Sequence, residues 1–368
     1  MLKILHVSGA RSWGGNEQQL IDLIYELNLK GVENIVLGVQ DSPLHEICSE
    51  KNILFIPTLS TKLNKFKNYA FLKNQIKEHK PDVVHLHTSD SLTTFVLSDL
   101  LYGIQTPTVF SKKGMGRSSS ILSRYKYNYR KIAAIICVSK KVKDEFSDLL
   151  SPTQKGKLEI IYDGISLSRI TDSKDSIFNK LNTQSANFNI IHIGNHVDAK
   201  SLPTLIKMLD VLVNQLGEKE VKLIQIGEFK EEITNYLKEM IRTYQLENHI
   251  HLAGFVPNAS SYIHQFDVFV MSSQREGFPL TIYESFYKKT PVVSTKAGGI
   301  PEIITDNVNG YLAEIGDFTT LAEKVLDLLK DEKKRNAFKE NAFLTFTTNF
   351  TAEQCAEHTH QVYKKISK

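Results

Sequence analysis

Two glutamates eight positions apart, Glu276 and Glu284, bracket the run Ser272-Ser273-Gln274-Arg275-Glu276-Gly277-Phe278-Pro279-Leu280-Thr281-Ile282-Tyr283-Glu284. An apolar run, Asp267–Ser272, precedes it, and helical spacing begins near Pro279. A helix start presents unpaired N–H groups and the positive end of its dipole, which is a seat for an anion. Pro279 has no N–H, so Leu280 and Thr281 must supply the donors. Carboxylates accept hydrogen bonds from hydroxyl-rich ligands. One acid at each end of an anion seat suits a molecule that carries a sugar, a diphosphate and a ribose in series. The same two acids also fit a helix cap and a surface residue.

Three more loops could do related chemistry. Ile193-Gly194-Asn195-His196-Val197-Asp198-Ala199-Lys200 follows an apolar run and leads into helical spacing at Leu202–Leu216, so that Lys200 can reach a phosphate. Gly14-Gly15, between the first strand-like run and the first helix-like run, permits close backbone approach to an anion. Gly298-Gly299, with Glu302 after it, does the same behind Pro291–Ser294. Taken singly, each is also an ordinary turn. The glycines of the first loop do not form the GxGxxG dinucleotide fingerprint.

The elements that must carry these loops alternate almost throughout. Lys3–Ser8, Asn34–Val39, Ile53–Ile56, Asp82–Leu86, Thr108–Ser111, Ala134–Ser139 and Leu158–Tyr162 read as strands. Helical spacing falls between them at Gln18–Leu29, Tyr69–His79 and Leu92–Leu101. Ser166 to Asn187 turns polar and reads as a linker. The pattern then restarts with Asn189–Ile193, Val221–Ile226, Ile250–Leu252, Asp267–Ser272 and Pro291–Ser294, and helices follow at Phe318–Lys330 and Thr351–Lys368. Short apolar strands separated by amphipathic helices make parallel sheets covered on both faces. The expected class is α/β, with domains at 1–165 and 188–350, a linker at 166–187, and the last helix, 351–368, packed back onto the first domain. Doubly wound sheets bind ligands at the carboxyl ends of their strands, where all four loops lie.

The 368 residues include 41% hydrophobic and 23% charged residues, the profile of a soluble globular protein. Cys48, Cys137 and Cys355 are far apart and lack metal-type spacing, as buried thiols of a reducing compartment would be. The start of the chain reads as a strand rather than a signal peptide, and no run reaches a membrane span, so a cytoplasmic protein is expected. Of the pairs His85/His87, His249/His251 and His358/His360, two sit in strand-like runs and lack nearby carboxylate or cysteine partners, and no Asp-x-Asp occurs, so no metal is expected. Net charge is +4, but Lys112 to Lys143 carries ten Lys/Arg and no Asp/Glu. That stretch is either a solvated face or a surface for an anionic partner, such as a membrane leaflet or a phosphorylated glycan acceptor. No nucleic-acid-binding motif accompanies it.

Together the motifs resemble one family. Glu276-Gly-Phe-Pro-Leu-Thr-Ile-Tyr-Glu284, Thr290-Pro-Val-Val-Ser294, Gly298-Gly-Ile-Pro-Glu302 and Asn309-Gly-Tyr311 are similar to the donor domain of glycosyltransferase family 4. Gly14-Gly15-Asn16-Glu17, Asp82-Val-Val-His-Leu-His87, Val138-Ser139, Asp163-Gly164-Ile165 and His251-Leu-Ala-Gly-Phe255 resemble its other landmarks. The resemblance implies the GT-B fold, two Rossmann-like doubly wound domains facing across a cleft, and a retaining transferase that needs no metal or other cofactor. Its donor would be a UDP- or GDP-sugar and its acceptor a glycan or lipid-linked glycan, in bacterial lipopolysaccharide, capsule or exopolysaccharide assembly. It places Glu276 on the transferred sugar, Lys200 on the leaving diphosphate, Gly277, Phe278, Pro279, Leu280 and Thr281 along the diphosphate, and Glu284 on the ribose. Gly15 would close over the diphosphate, and Gly194 would begin the lysine loop.

Two positions depart from the family. Asn195 stands where members carry Arg, so a second phosphate cation must come from elsewhere, with Arg275 or His196 as candidates. Lys112-Lys113-Gly114 stands where members often carry His. Acceptor-side candidates are therefore His87, Lys112, Lys113 and Arg117, and the basic stretch 112–143 is the expected peripheral membrane contact. Alanine at Lys200 or Glu284 is expected to abolish transfer and spare stability. A nucleotide-sugar epimerase or phosphorylase of the same fold, or a degenerate donor-binding partner subunit, also fits the motifs.

Overall fold

Val/Ile/Leu runs too short for helices and flanked by Gly, Ser and Pro have one good way to bury both faces, in a parallel sheet under helices. A computed structural model describes residues 1–114 and 120–367. The chain divides into two units, Met1–Ser166 with Thr351–Lys368, and Leu167–Phe350.

The first unit holds strands β1 (Lys3–Val7), β2 (Glu33–Gly38), β3 (Leu54–Pro57), β4 (Val83–Leu86), β5 (Thr108–Lys112), β6 (Ile132–Cys137) and β7 (Leu158–Ile160). All pair in parallel, in the order β3-β2-β1-β4-β5-β6-β7. The helices between them are α1 (Gly15–Leu29), α2 (Pro43–Glu50), α3 (Lys67–His79), α4 (Ser89–Tyr102), α5 (Ile121–Tyr127), α6 (Lys140–Ser147) and α7 (Pro152–Lys155). The order reverses between β1 and β4, which places the loops after Val7 and Leu86 side by side. Gly9 N–H donates to Thr88 Oγ1 at 3.0 Å across that junction.

The second unit begins inside the stretch that reads as a linker. Leu167–Arg169 forms a 3-10 turn, and α8 (Ile177–Lys180) buries Ile177 and Phe178. Low hydrophobicity hides these two anchors among Ser, Thr and Asp. Its strands are β8 (Phe188–Ile193), β9 (Val221–Ile226), β10 (Ile250–Leu252), β11 (Val268–Met271), β12 (Val292–Thr295) and β13 (Tyr311–Ala313), parallel in the order β10-β9-β8-β11-β12-β13. Helices α9 (Leu202–Asp210), α10 (Glu231–Thr243), α11 (Leu280–Tyr287), α12 (Phe318–Lys330) and α13 (Glu332–Asn349) cover them. The switch falls between β8 and β11, so the loops carrying Lys200 and Glu276 are neighbours. Leu205, Leu209, Leu223, Val268, Val293, Leu321 and Val325 are fully buried within one core, and each such side chain contributes about 1.5–3 kcal/mol by leaving water.

Three local features differ from the sequence reading. The helix expected over Leu202–Leu216 widens after Asp210 into a π-turn, Val211–Gln215. Strand β13 and helix α13 have no counterpart in that reading. Helix α13 carries charged and aromatic residues around most of its circumference, which masks its period, and only Phe338, Ala342 and Phe346 are buried.

Helix α14 (Ala352–Ile366) belongs to the first unit. Thr351 and Gln354 form a capping box at its start. The backbone at Gly164 lies so close to the Thr351 carbonyl that a Cβ would overlap it. Ala352 N–H then donates to Ile165 O at 3.0 Å. Ala356, Val362 and Tyr363 join the core with Ile4, Leu23 and Leu27.

Candidate functional site

In the second unit, Gly194 follows the last residue of β8, and its carbonyl accepts from Gln225 Nε2 at 2.8 Å. Glycine is required at the neighbouring Gly227, where a Cβ would overlap that carbonyl. After Val197 the chain makes a 3-10 turn, Asp198–Lys200, and Ser201 turns left-handed at φ +48°. The loop after β11 is stapled onto this turn. Ser272 Oγ donates to Lys200 O at 3.1 Å and Ser201 O at 3.2 Å. Gln274 N–H donates to Ala199 O at 2.8 Å, and Gln274 Nε2 to Ser201 Oγ at 3.1 Å.

These staples bring the two central side chains together. Lys200 Nζ lies 2.7 Å from Glu276 Oε1, and Ser273 Oγ donates to that same oxygen at 2.6 Å. The side chains keep 22% and 11% of their exposure, so the pair is half sheltered yet open to a ligand. Ser273 is held in turn by Thr295 Oγ1, which donates to its carbonyl. Behind Lys200 lies His192, fully buried, with neither ring nitrogen hydrogen-bonded. A Cβ at Gly194 would stand 3.0 Å from His192 Cε1 and 3.2 Å from Lys200 Cδ and Cε, so glycine leaves the room that both side chains fill. Burial first, and the Lys200 charge second, push the His192 pKa down to about 3.

Helix α11 starts at Leu280 with Pro279 as its cap. Gly277 is half-buried on the approach. The Phe278 ring packs on Tyr283 and Phe350 at centroid distances of 5.2 and 5.8 Å, so its backbone, not its ring, is what a ligand could meet. Leu280 and Thr281 open the first turn, as expected from the proline. Glu284, one turn further, is buried, and its Oε1 accepts from Arg169 Nη1 at 3.1 Å. Burial raises its pKa, and Arg169 together with the Ser260 hydroxyl opposes that rise.

The candidates for a second phosphate cation part ways here. His196 is fully buried, with Nε2 at 2.8 Å from Gln225 Oε1 and Nδ1 at 2.7 Å from Thr234 Oγ1, and burial lowers its pKa. It is a neutral strut rather than a phosphate ligand. Asn195 is likewise committed, its Oδ1 accepting from Glu228 N–H at 2.9 Å. Arg275 is exposed on the Glu276 loop.

In the first unit, Gly15 is exposed in the first turn of α1, behind Gly14 as the cap. His87 does not stand alone. His6 Nδ1 and His87 Nε2 share a hydrogen bond of 3.0 Å, and His6 Nε2 meets Asn34 Oδ1 at 2.9 Å. His85 bonds Ser111 Oγ at 2.7 Å and the Tyr363 hydroxyl. His6, from β1, was invisible as a partner because 79 residues separate it from His85. Facing atoms of the three rings lie within 4.8 Å of one another, so the cluster has the donors for a transition metal. Both nitrogens of His6 and of His85 are already hydrogen-bonded, and the rings are wired as a neutral polar core. Burial holds His6 down at about 4 and His85 and His87 well below their usual value.

Lys112 and Lys113 turn inward, although the basic stretch that they open reads as a solvated face or a surface for an anionic partner. Lys113 pairs with buried Asp163, in a small polar cavity that His87, Ser111, Gln19 and Thr359 also line. Lys112 folds over the Phe146 ring and donates to Gly114 O. Arg117 lies outside the described residues. Burial pushes the thiols of Cys48, Cys137 and Cys355 up to about 12, far from reactive thiolates. No helix among the described residues is long and apolar enough to cross a membrane.

Two family descriptions divide the chain between them. Glycosyltransferase Family 4 matches residues 13–169, and Glycosyl transferases group 1 matches residues 173–345. An uncharacterized glycosyltransferase of Methanocaldococcus jannaschii is 27% identical over 361 residues, covering 91% of this chain and 93% of that protein. A capsular polysaccharide biosynthesis glycosyltransferase of Staphylococcus aureus is 27% identical over 183 residues, 50% of this chain and 47% of that protein's length. Among solved structures, Anabaena HepE in complex with UDP-glucose superposes with a TM-score of 0.85 at 20% identity, covering 99% of this chain and 100% of that one. With both sheets in the doubly wound order and both family descriptions matched in sequence, the chain belongs to the family 4, group 1 glycosyltransferases and has their GT-B fold.

Proposed function

We propose that this glycosyltransferase moves a sugar from a UDP- or GDP-sugar to a glycan or lipid-linked acceptor, with retention at the anomeric carbon, in the assembly of a bacterial surface polysaccharide. The observation that carries this reading is the Lys200–Glu276 pair at 2.7 Å, on two stapled loops at the head of α11. The barrier is loss of the nucleoside diphosphate while positive charge builds on the anomeric carbon. Lys200 and the N–H groups of Leu280 and Thr281 stabilise the charge that develops on the leaving diphosphate. Glu276 exchanges its bonds with Lys200 and Ser273 for hydroxyls of the transferred sugar. Glu284 takes the ribose. A lysine and a helix start do here what a divalent metal does elsewhere. The relative from the capsular polysaccharide route supports the choice of pathway class.

The acceptor side works at the cytoplasmic face of a membrane. Helix α5 leaves Ile121 87% and Leu122 80% exposed, beside Arg124 and ahead of Arg130, Lys140 and Lys141. Exposed aliphatics followed along the chain by exposed cations, of which Lys140 and Lys141 pair with Asp144 and Glu145, suit an anionic lipid leaflet. Lys112 and Lys113 do not contribute, since both fold inward.

A panel of UDP-, GDP- and ADP-sugars tests the reading, first by thermal shift and then by turnover in EDTA with the product anomer assigned by NMR. Stabilisation by one nucleotide and a retained anomer are expected. Binding without release of nucleoside diphosphate in the presence of any glycan acceptor would favour a donor-binding partner subunit, a reading that Asn195 keeps in play because it supplies no cation. Sugar interconversion without acceptor would identify an epimerase. Liposome co-sedimentation of the variant neutralised at Arg124, Arg130, Lys140 and Lys141 tests the membrane face, and undiminished binding would remove it.

A further inference from the structure

Arg169 closes the short turn Leu167–Arg169, in a stretch whose composition suggests nothing but a linker. Its Nη1 nevertheless reaches the one carboxylate that helix α11 buries, 3.1 Å from Glu284 Oε1. The Glu284 side chain is 8% exposed and that of Arg169 27%. Three groups face this carboxylate. Arg169 comes from the 167–169 turn, the Ser260 hydroxyl from the 3-10 turn Ala259–Gln265, and Lys288 lies one turn along α11. Lys288 is drawn away, because its ammonium pairs with Asp172 and donates to Thr171 O. Asp172 in turn is 3.3 Å from His264 Nδ1. Arg169 is therefore the cation that bonds Glu284 directly.

Burial favours the protonated form of a carboxyl group this deep, and a guanidinium, which cannot lose its proton, opposes that by favouring the carboxylate. The difference matters for a vicinal diol. A carboxylate offers an acceptor oxygen to each hydroxyl, whereas the acid spends one oxygen as a donor.

We propose that Arg169 is a positioning residue for the donor's ribose, holding Glu284 ionised and aimed so that both ribose hydroxyls find an acceptor. This rests on the reading of Glu284 as the ribose ligand, and the test separates the two. The affinities of UDP and GDP, and of their 2′,3′-dideoxy forms, are measured by calorimetry from pH 6 to 9 for wild type and for Arg169→Met, Arg169→Lys and Glu284→Gln.

With Arg169→Met the ribonucleotide binds about ten-fold more weakly at pH 7, the loss expected for one charge-assisted hydrogen-bond partner. The deficit shrinks as pH rises, because Glu284 then ionises unaided. The dideoxy form binds both proteins alike, and Arg169→Lys recovers much of the affinity. A loss that is equal for ribo and dideoxy forms, or that does not change with pH, would assign Arg169 a purely structural role. If Glu284→Gln weakens the ribo and dideoxy forms equally, the ribose assignment itself falls. If its loss is confined to the ribo forms and Arg169→Met shows no such selective loss, only the role of Arg169 falls.

Discussion

Lys200 Nζ and Ser273 Oγ converge on one oxygen of Glu276, at 2.7 and 2.6 Å, across two loops that are 72 residues apart at their Ser272–Lys200 staple. A cation held by its counterion is ready to change partners when a stronger anion arrives. Lys200→Met should lower turnover about 10²–10³-fold, the usual cost of losing one preorganised charge contact to a leaving group. Stability should change by about 1 kcal/mol at most, since the pair is partly solvated. Initial rates with the preferred donor, together with a melting curve, check both. Wild-type turnover would take Lys200 away from the diphosphate.

Glu284→Ala is a different case, and the expectation that it would spare stability no longer holds. Its carboxylate is buried and bonded to Arg169 and Ser260. Removing it deprives a guanidinium of its buried partner, which costs about 2–3 kcal/mol. Urea unfolding should show this loss, and Glu284→Gln should recover part of it. Activity loss in the alanine variant must therefore be judged at a temperature where the fold persists.

Acid should weaken the fold well before most carboxylates titrate. The folded chain keeps His6 at about 4 and His192 at about 3, with His85 and His87 well below the usual value. The unfolded chain protonates all four near pH 6.5. Below that point the unfolded state binds more protons, so stability falls as pH falls, by up to about 1.4 kcal/mol per pH unit for each histidine. Glu17, Glu26 and Glu284 are displaced upward by burial and pull the other way nearer pH 5, so the comparison belongs between pH 7 and 5.5. A urea midpoint that stays level across that range would mean the rings take up protons in place.

His192→Leu should stabilise the protein. The wild-type ring is fully buried with both nitrogens unpartnered, and each such polar atom costs about 1–3 kcal/mol. Leucine fills much of that space without the penalty. A melting temperature several degrees higher is expected, along with a shallower pH slope than wild type. A lower melting temperature would show that the imidazole is bonded in solution.

The alternation of short apolar runs and amphipathic stretches settled the architecture, because burying both faces of such strands leaves only covered parallel sheets. Gly-Phe-Pro after Glu276 located the head of α11, since proline suits the start of a helix, where its missing N–H breaks no helical bond, and not the interior. Local chemistry could not say where long side chains turn. Lys112 and Lys113 look like a cationic edge along the chain, yet Asp163 and the Phe146 ring draw them in. His196 looks like a phosphate ligand beside Lys200, yet Gln225 and Thr234 claim it for the core. Arg169, 115 positions before Glu284, carries no local mark of its partner. Strand and helix periods are short-range properties of the backbone and are written in neighbouring residues. Which charges meet depends on strand order and loop stapling, and those arise only when distant segments pack.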